Sequence, residues 1–246
     1  MNEPNLVACH AMPTPAANIL AIDVGGSGLK ATVVDANGKM LCDRVRVETP
    51  TGAEPDAVVA LLVELVRDLP RYDRVAVGFP GVVREGVVRT APNLGNDRWR
   101  GFDLCAALER ELGRPTRIAN DADVQGLAVI AGKGIEMVVT LGTGFGTALY
   151  EDGRLCPHLE LSHHRFRARE TYDEQLGREA LAQVGKRKWQ RRVLKAIDNL
   201  RELVHFDRLY IGGGNAKKLT IELPEDVVRV DNKAGLMGGA GLWRAH

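Results

Sequence analysis

The sequence has no apolar run close to the roughly 20 residues that a membrane-spanning helix needs, so we expect no membrane contact. Its N-terminus, MNEPNLVACHAMPTPAAN, has no basic stretch followed by an apolar core, which argues against a signal peptide. We interpret residues 1–17 as a disordered tail, rich in proline and alanine, in front of the first strand. These absences favour a cytoplasmic protein.

An excess of charge of one sign is also absent. The 33 Lys and Arg residues balance the 32 Asp and Glu residues, which leaves a net charge of +1. The overall charge therefore gives no reason to expect nucleic acid or a membrane surface as a partner. Any site for an anion must be local.

Cysteine is scarce and scattered. Cys9, Cys42, Cys105 and Cys156 form no C-x-x-C pair. This pattern is typical of reduced thiols in the cytoplasm rather than of a disulfide framework, and it predicts no structural zinc site.

Short apolar runs that end in glycine or polar turns alternate with segments of helical periodicity, which predicts the α/β class. Strands are expected in NILAIDVGG, RVAVGFPGVV, PTRIAN, EMVVTL and DRLYI. Helices are expected at 55–69, from an N-cap at Asp103 to a stop at Gly113, at 121–131, over most of 186–204, and in a closing segment at 231–246.

Two segments share one plan. IDVGGSGLKATVVDANGK and TLGTGFGTALYEDGR both read as strand, glycine turn, strand and Asp-containing turn, and a constant offset brings Gly25 onto Gly142 and Asp35 onto Asp152. The match is either a coincidence between two hairpins or an internal duplication. A duplication would give two similar lobes that each present a glycine turn to a shared cleft.

Glycine turns after buried strands allow backbone N–H groups to converge on an anion. The turn from Asp23 to Lys30 offers this with a carboxylate that can hold Mg²⁺ through water, the turn LGTGFG offers it with Thr143, and IGGGN offers a third. No G-x-x-x-x-G-K-[ST] occurs, so the chain is not a P-loop protein. GTGFG leads into another strand instead of a helix, which argues against a Rossmann site.

Together these motifs resemble a known family. IDVGGSGLK, GFPGVV with GVVRTAPNLG, IANDADVQGLA, VVTLGTGFGTAL, ELSH and LYIGGGN occur in the order found in the ROK family of sugar kinases, over about residues 18 to 245. Their wording is most similar to its polyphosphate glucokinase branch.

The resemblance implies the two-lobed actin/hexokinase-like (ribonuclease-H-like) fold with a central cleft. We expect an N-terminal lobe at 18–115, a C-terminal lobe at 116–230, and a closing helix at 231–246 that packs back on the first lobe. A homodimer is the expectation for the family.

The resemblance also implies roles for individual residues. Asp121 would be the catalytic base. Contacts to the sugar would come from Gly81, Asn93, Asn120, Glu160 and His163. The phosphoryl donor, polyphosphate or ATP with Mg²⁺, would be held by Asp23, Gly25, Gly26, Ser27, Gly28, Lys30, Gly142, Thr143, Gly144, Gly212, Gly213 and Gly214.

This chain departs from the family pattern at Ser162, which stands where the E-x-G-H motif has glycine, and His164 follows His163 directly. Loop histidines without contact to the sugar are the alternative interpretation of His163 and His164. Asp123, in the first turn of the predicted helix, is interpreted as structural because a carboxylate is favoured there by the helix dipole.

A basic run, KRKWQRRVLK, occupies residues 186–195. It is interpreted either as the solvated face of a helix or as a track for a polyanion such as polyphosphate.

These features lead to the hypothesis of a cytoplasmic hexokinase that phosphorylates glucose or a close relative at the 6-hydroxyl. A sugar sensor without catalysis is the rival from another class, although the short tail offers no helix-turn-helix. A kinase for an N-acetylated or other hexose is the second rival.

Overall fold

The structure is a computed structural model that describes residues 17–52, 54–230 and 236–244. The predicted tail, except for its last residue, and Cys9 lie outside the described residues, as do 231–235 and 245–246 of the predicted closing segment. Within the described ranges, no helix is both long and apolar enough to cross a membrane.

The first sheet has five strands in the order β3-β2-β1-β4-β7. Its members are β1 (Ile19–Val24), β2 (Leu29–Val34), β3 (Val45–Val47), β4 (Arg74–Phe79) and β7 (Thr116–Asn120). The first three strands are antiparallel neighbours, whereas β4 and β7 run parallel to β1. Parallel neighbours end at the same edge of a sheet, so β1, β4 and β7 all deliver their last residues to one side of this lobe.

Helices cover the first sheet and connect its parallel strands. They are α1 (Pro55–Val66), α2 (Asn96–Trp99) and α3 (Leu104–Leu112), with a small hairpin of β5 (Val83–Arg84) and β6 (Val87–Val88) between them. The Asp103 carboxylate accepts a hydrogen bond from the Ala106 N–H and Gly113 adopts a left-handed conformation, so both predicted ends of α3 are confirmed. Phe79 packs against Trp99 in the core, with ring centroids 5.1 Å apart.

The second sheet repeats the arrangement of the first, in the order β10-β9-β8-β13-β14. It is formed by β8 (Ile135–Leu141), β9 (Phe145–Glu151), β10 (Arg154–Leu155), β13 (Arg208–Gly212) and β14 (Val227–Arg229). Again three strands, β10, β9 and β8, are antiparallel neighbours, whereas β13 and β14 run parallel to β8. The shared order and directions support the internal duplication rather than a coincidence of two hairpins.

The second lobe inserts a hairpin and two helices between β10 and β13. These elements are β11 (Arg165–Arg167), β12 (Glu170–Thr171), α5 (Tyr172–Leu176) and α6 (Arg178–Val204). Gly185, at φ +74° and ψ 159°, interrupts α6, a backbone conformation that essentially only glycine adopts. The helix predicted over 186–204 is therefore the part after this kink, and the part before it was not predicted.

Two boundaries differ from the sequence predictions. The strand β7, assigned from sequence to the second lobe, pairs with β4 as the edge strand of the first sheet. The helix α4 (Asp121–Gly126) ends five residues before its predicted end. It contacts β4 of the first sheet, β8 and β9 of the second sheet, and a short closing 3₁₀ helix at Met237–Trp243.

The closing helix packs on the first sheet. Leu236 and Ala240 form a small apolar cluster with Ile19, Ala21 and Ala76 of β1 and β4. The last described residues of the chain thus pack on the sheet that contains its first strand, β1, and also contact α4.

Candidate active site

A cleft with a volume of about 460 Å³ opens between the two sheets. Both lobes contribute to it. The predicted site residues that line it are Gly25, Gly26, Gly81, Asn93, Asn120, Asp121, Gly142, Thr143, Gly144, Glu160, His163, Gly213 and Gly214. Asp23, Ser27, Gly28, Lys30 and Gly212 lie outside its lining.

The junction of β7 and α4 forms the floor of the cleft. Asn120 is the last residue of β7 and caps α4, because its side-chain oxygen accepts a hydrogen bond of 2.8 Å from the Ala122 N–H. Its side-chain nitrogen donates to the Gly81 carbonyl oxygen at 3.1 Å. Asn120 is thus held by protein partners, and one N–H and one lone pair are left for a bound molecule.

Asp121 is the first residue of α4 and lines the cleft. Burial and the negative charge of Asp23 raise its pKa to about 7, although the Ala122 N–H and His158 act in the opposite direction. A carboxylate whose pKa lies near neutral pH can accept a proton from a bound hydroxyl group and release it again.

Asp23, at the end of β1, forms an ion pair with Lys30 across the first hairpin. The Lys30 Nζ lies 2.7 Å from the Asp23 Oδ2, and both side chains are about 30% exposed. Only one carboxylate oxygen takes part, so the other is free to face a hydrated cation. The residues present therefore fit Mg²⁺ bound through water, which leaves most of its hydration shell in place.

A buried histidine connects the floor of the cleft to its second wall. His158 Nδ1 lies 3.0 and 3.1 Å from the two carboxylate oxygens of Asp123, and its Nε2 lies 3.6 Å from Glu160 Oε2. The side chains of His158 and Asp123 are only 8% and 3% exposed. Asp123, interpreted from the sequence as structural because of the helix dipole, is thus a buried partner of His158, a contact that was not predicted.

The electrostatics of this connection favour a charged histidine. Burial lowers the pKa of His158, but its interactions with Asp123 and Glu160 outweigh burial and raise the pKa to about 9. Burial also opposes ionisation of Glu160, but its interaction with the nearby His158 and the hydrogen bonds from Ser162 lower its pKa to about 2. Glu160 is therefore a carboxylate at neutral pH, ready to accept hydrogen bonds from hydroxyl groups.

Ser162, which replaces the glycine of the E-x-G-H pattern, forms hydrogen bonds with Glu160. Its hydroxyl and its backbone N–H both donate to Glu160 Oε1, the backbone bond at 3.1 Å. His163 is exposed and lines the cleft, whereas the His164 Nδ1–H donates to the Arg165 carbonyl oxygen at 3.1 Å and His164 lies outside the lining. The serine thus orients the acidic group instead of disturbing it.

The second glycine turn, Gly142 to Gly144, is held from three sides. Asn215 donates from its side chain to the Gly142 carbonyl at 2.9 Å, and Asp173 accepts from the Phe145 N–H at 2.6 Å. The Arg178 guanidinium donates to the Thr143 hydroxyl at 3.3 Å. A rigid turn with an exposed arginine beside it is suited to bind phosphate groups.

Sequence reasoning missed several residues of this site. His158, Asp173, Arg178 and Asn215 all line the cleft. Asn215 follows the IGGGN glycines directly and His158 precedes Glu160 by two positions, so both were within reach of motif analysis. Asp173 and Arg178 come from α5 and α6, and no local pattern connects them to the glycine turn that they contact.

Comparisons with known proteins agree with this geometry. The model of the ROK family matches residues 19–157. The polyphosphate glucokinase of Mycobacterium tuberculosis is 33% identical in an alignment 240 positions long, which covers 89% of this chain and 88% of that protein. The N-acetylmannosamine kinase of Escherichia coli is 34% identical over 55% of this chain and 48% of that protein.

A solved structure is similar over nearly the whole chain. The inorganic polyphosphate/ATP-glucomannokinase from Arthrobacter sp. strain KM superposes with a TM-score of 0.80 at 31% identity, covering 91% of this chain and 97% of that chain. The predicted two-lobed actin/hexokinase-like fold is confirmed by this likeness. The chain belongs to the ROK family and is one of its sugar kinases.

Proposed function

We propose that this chain transfers a phosphoryl group from polyphosphate or ATP to the 6-hydroxyl of glucose or a closely related hexose. The observation that carries the proposal is the position of Asp121, whose pKa is raised to about 7, in a cleft that two glycine turns flank. The relatives that are named polyphosphate glucokinase and polyphosphate/ATP-glucomannokinase support the choice of donor and sugar.

In the proposed reaction, the 6-hydroxyl oxygen attacks the terminal phosphorus and its proton passes to Asp121. The bond from that phosphorus to the bridging oxygen breaks, which leaves ADP or a polyphosphate shorter by one unit. Phosphoryl transfer depends mainly on positioning and on neutralising charge, so a single well-placed base is sufficient.

The sugar is proposed to bind between the two walls of the cleft. Glu160, fixed by His158 and Ser162, would accept hydrogen bonds from neighbouring sugar hydroxyls. Asn93 and His163, both exposed in the lining, would complete the contacts, and Asn120 would contribute through its remaining N–H.

The donor is proposed to lie along the glycine turns, with Gly25, Gly26 and Gly142 to Gly144 at its terminal phosphates and Gly213 and Gly214 beyond them. Mg²⁺ would neutralise developing charge on the transferred group, held by Asp23 through water. Ser27, Gly28 and Gly212 would support the shape of these turns rather than touch the donor.

Two further points belong to this proposal. We propose that the chain acts in the cytoplasm, because Cys42, Cys105 and Cys156 are free thiols.

We also propose a homodimer, which sedimentation of the purified protein would test.

The test of the function is one assay of the purified protein with a panel of hexoses, each with ATP or polyphosphate as donor. Glucose is expected to give the highest kcat/KM, with the product carrying phosphate on O6. A higher kcat/KM for an N-acetylated hexose would replace glucose as the substrate. Sugar binding without turnover for either donor would contradict kinase activity.

A further inference from the structure

One segment of this chain carries a local excess of positive charge. Residues 164–195 contain ten Lys and Arg residues against four Asp and Glu residues, a net charge of +6, whereas the whole chain has a net charge of +1. The cations come from the β11–β12 hairpin, from the start of α6 and from the part of α6 after its kink.

The kink at Gly185 brings these cations together. After it, α6 packs against the end of α5, where the Trp189 Nε1–H donates to the Leu176 carbonyl at 2.8 Å and the Arg192 Nη1–H donates to the Gln175 carbonyl at 3.2 Å. Burial and, to a smaller extent, the positive charge of Arg167 lower the pKa of Arg192, although the negative charge of Glu170 acts in the opposite direction. The hairpin and the helix thus present their cations to the same region.

This region continues into the cleft. Leu176 is followed by Gly177 and Arg178, and the Arg178 N–H donates to the Thr143 carbonyl at 3.1 Å. Arg178 lines the cleft beside the glycine turn. A polyanion whose end is held at Thr143 would therefore leave the cleft past Arg178 toward the basic part of α6.

The cations in the basic part of α6 form no close ion pairs among the described residues. Lys188, Arg191 and Lys195 are exposed on one stripe of the helix, while Trp189 and Val193 face the core. Across the part of the chain that the structure describes, none of the ten cations lies within 4 Å of a carboxylate oxygen. Like charges four residues apart, such as Arg191 and Lys195, destabilise a helix, so this arrangement opposes stability.

We propose that the surface formed by Arg167, Arg178, Lys188, Arg191, Arg192 and Lys195 binds the part of a polyphosphate chain that extends beyond the cleft. The inference rests on the proposed function, because the terminal phosphate must be the one transferred in the cleft. Arginine offers paired N–H donors that match phosphate oxygens, and lysine adds point charges. On this proposal, ATP and tripolyphosphate, with three phosphates each, bind within the cleft and do not use the exposed stripe.

A single-stranded nucleic acid is the competing polyanion. Its binding surfaces combine cations with exposed aromatic rings on which bases stack. Trp189, the aromatic residue within the basic run, is fully buried. The surface therefore favours a polyanion without bases.

The test compares donors of different length with a triple variant, Lys188→Gln/Arg191→Gln/Lys195→Gln. We expect the KM for long-chain polyphosphate to rise roughly tenfold or more, with kcat unchanged and with the KM values for ATP and tripolyphosphate within about twofold of wild type. A matched control, Lys39→Gln/Arg71→Gln/Arg154→Gln, removes the same charge from exposed positions outside the cleft and should leave all donors unaffected.

The result would overturn the inference if the triple variant kept the wild-type KM for long chains, or if its KM rose equally for ATP. Failure of the proposed function would look different. In that case the wild-type protein itself would not phosphorylate glucose, whichever donor was supplied. Equilibrium binding of labelled long-chain polyphosphate, with single-stranded DNA as competitor, adds a readout without turnover. Equal displacement by DNA at the same phosphate concentration would also overturn the inference.

Discussion

Asp121 lies in an environment that raises its pKa, chiefly because its carboxylate is removed from water. Burial and the charge of Asp23 raise its pKa to about 7, and Asp23 is itself paired with Lys30 at 2.7 Å. The pKa of the proposed base is therefore set first by burial and then by the charge of Asp23, which lies outside the cleft lining.

This setting predicts the pH dependence of activity. Asp121 accepts a proton only when it is ionised, so kcat/KM for the sugar should rise with pH through a midpoint near 7. Asp23→Asn removes a negative charge and should lower the midpoint by roughly 0.5 to 1 in pH, whereas Lys30→Met should raise it by a similar amount. Rate profiles between pH 5 and 9 measure both, and shifts in the same direction would contradict the account.

His158 contacts two carboxylates: Asp123 of α4, and Glu160, which we assign to sugar binding. Removing one partner of a buried pair leaves the other charge without compensation, which is strongly destabilising. Because the folded pKa of His158 is raised from 6.5 to about 9, its stabilisation is complete below pH 6.5 and is lost as the pH rises through 9.

His158→Gln is therefore expected to lower the free energy of unfolding by about 3 kcal/mol at pH 6 and by much less at pH 9. The KM for the sugar should also rise roughly tenfold, since Glu160 loses a charged partner. Urea unfolding at both pH values and steady-state kinetics provide the measurements. His164→Gln, at an exposed position outside the cleft, is the control, and an equal loss of stability at both pH values would contradict the role of His158.

At the scale of secondary structure, the sequence predicted elements best where their ends are encoded locally. The carboxylate of Asp103 and the left-handed Gly113 define α3 in the sequence and in the structure alike. The early end of α4 has no such signal, because it coincides with the packing of the closing helix against Val124 and Leu127. Such contacts between distant parts of the chain are invisible to local periodicity.

That packing depends on a close approach between two elements. A Cβ atom at Gly238 would overlap the Val124 carbonyl oxygen of α4. Gly238→Ala should therefore push the closing helix away from α4, lowering the free energy of unfolding by about 1–3 kcal/mol. It should also reduce kcat, because α4 begins with Asp121.

Thermal unfolding and steady-state kinetics would measure both effects. Met237→Ala is the matched control, since the Met237 side chain next to Gly238 is 40% exposed. Unchanged stability of the Gly238→Ala protein would show that the contact can relax without consequence.

At the scale of the whole molecule, the duplicated plan of the two sheets could be predicted from the paired glycine hairpins at Gly25 and Gly142. The same motifs predicted most of the cleft lining, including Asp121 and Glu160. The contributions of Asp173 and Arg178 could not be predicted, because α5 and α6 meet the second glycine turn only through the fold of the second lobe. The assignment of β7 to the first sheet escaped prediction for the same reason, since strand pairing joins residues about 40 positions apart.

The most direct test of the account is the turnover of Asp121→Asn with the best sugar and donor. This substitution keeps the size of the side chain and removes its ability to take a proton, so kcat should fall by roughly 10²- to 10⁴-fold while the Kd for the sugar stays close to that of wild type. Asp97→Asn, an exposed carboxylate outside the cleft, should show wild-type kcat under the same conditions. A kcat for Asp121→Asn within a few fold of wild type would contradict the assignment of Asp121 as the base.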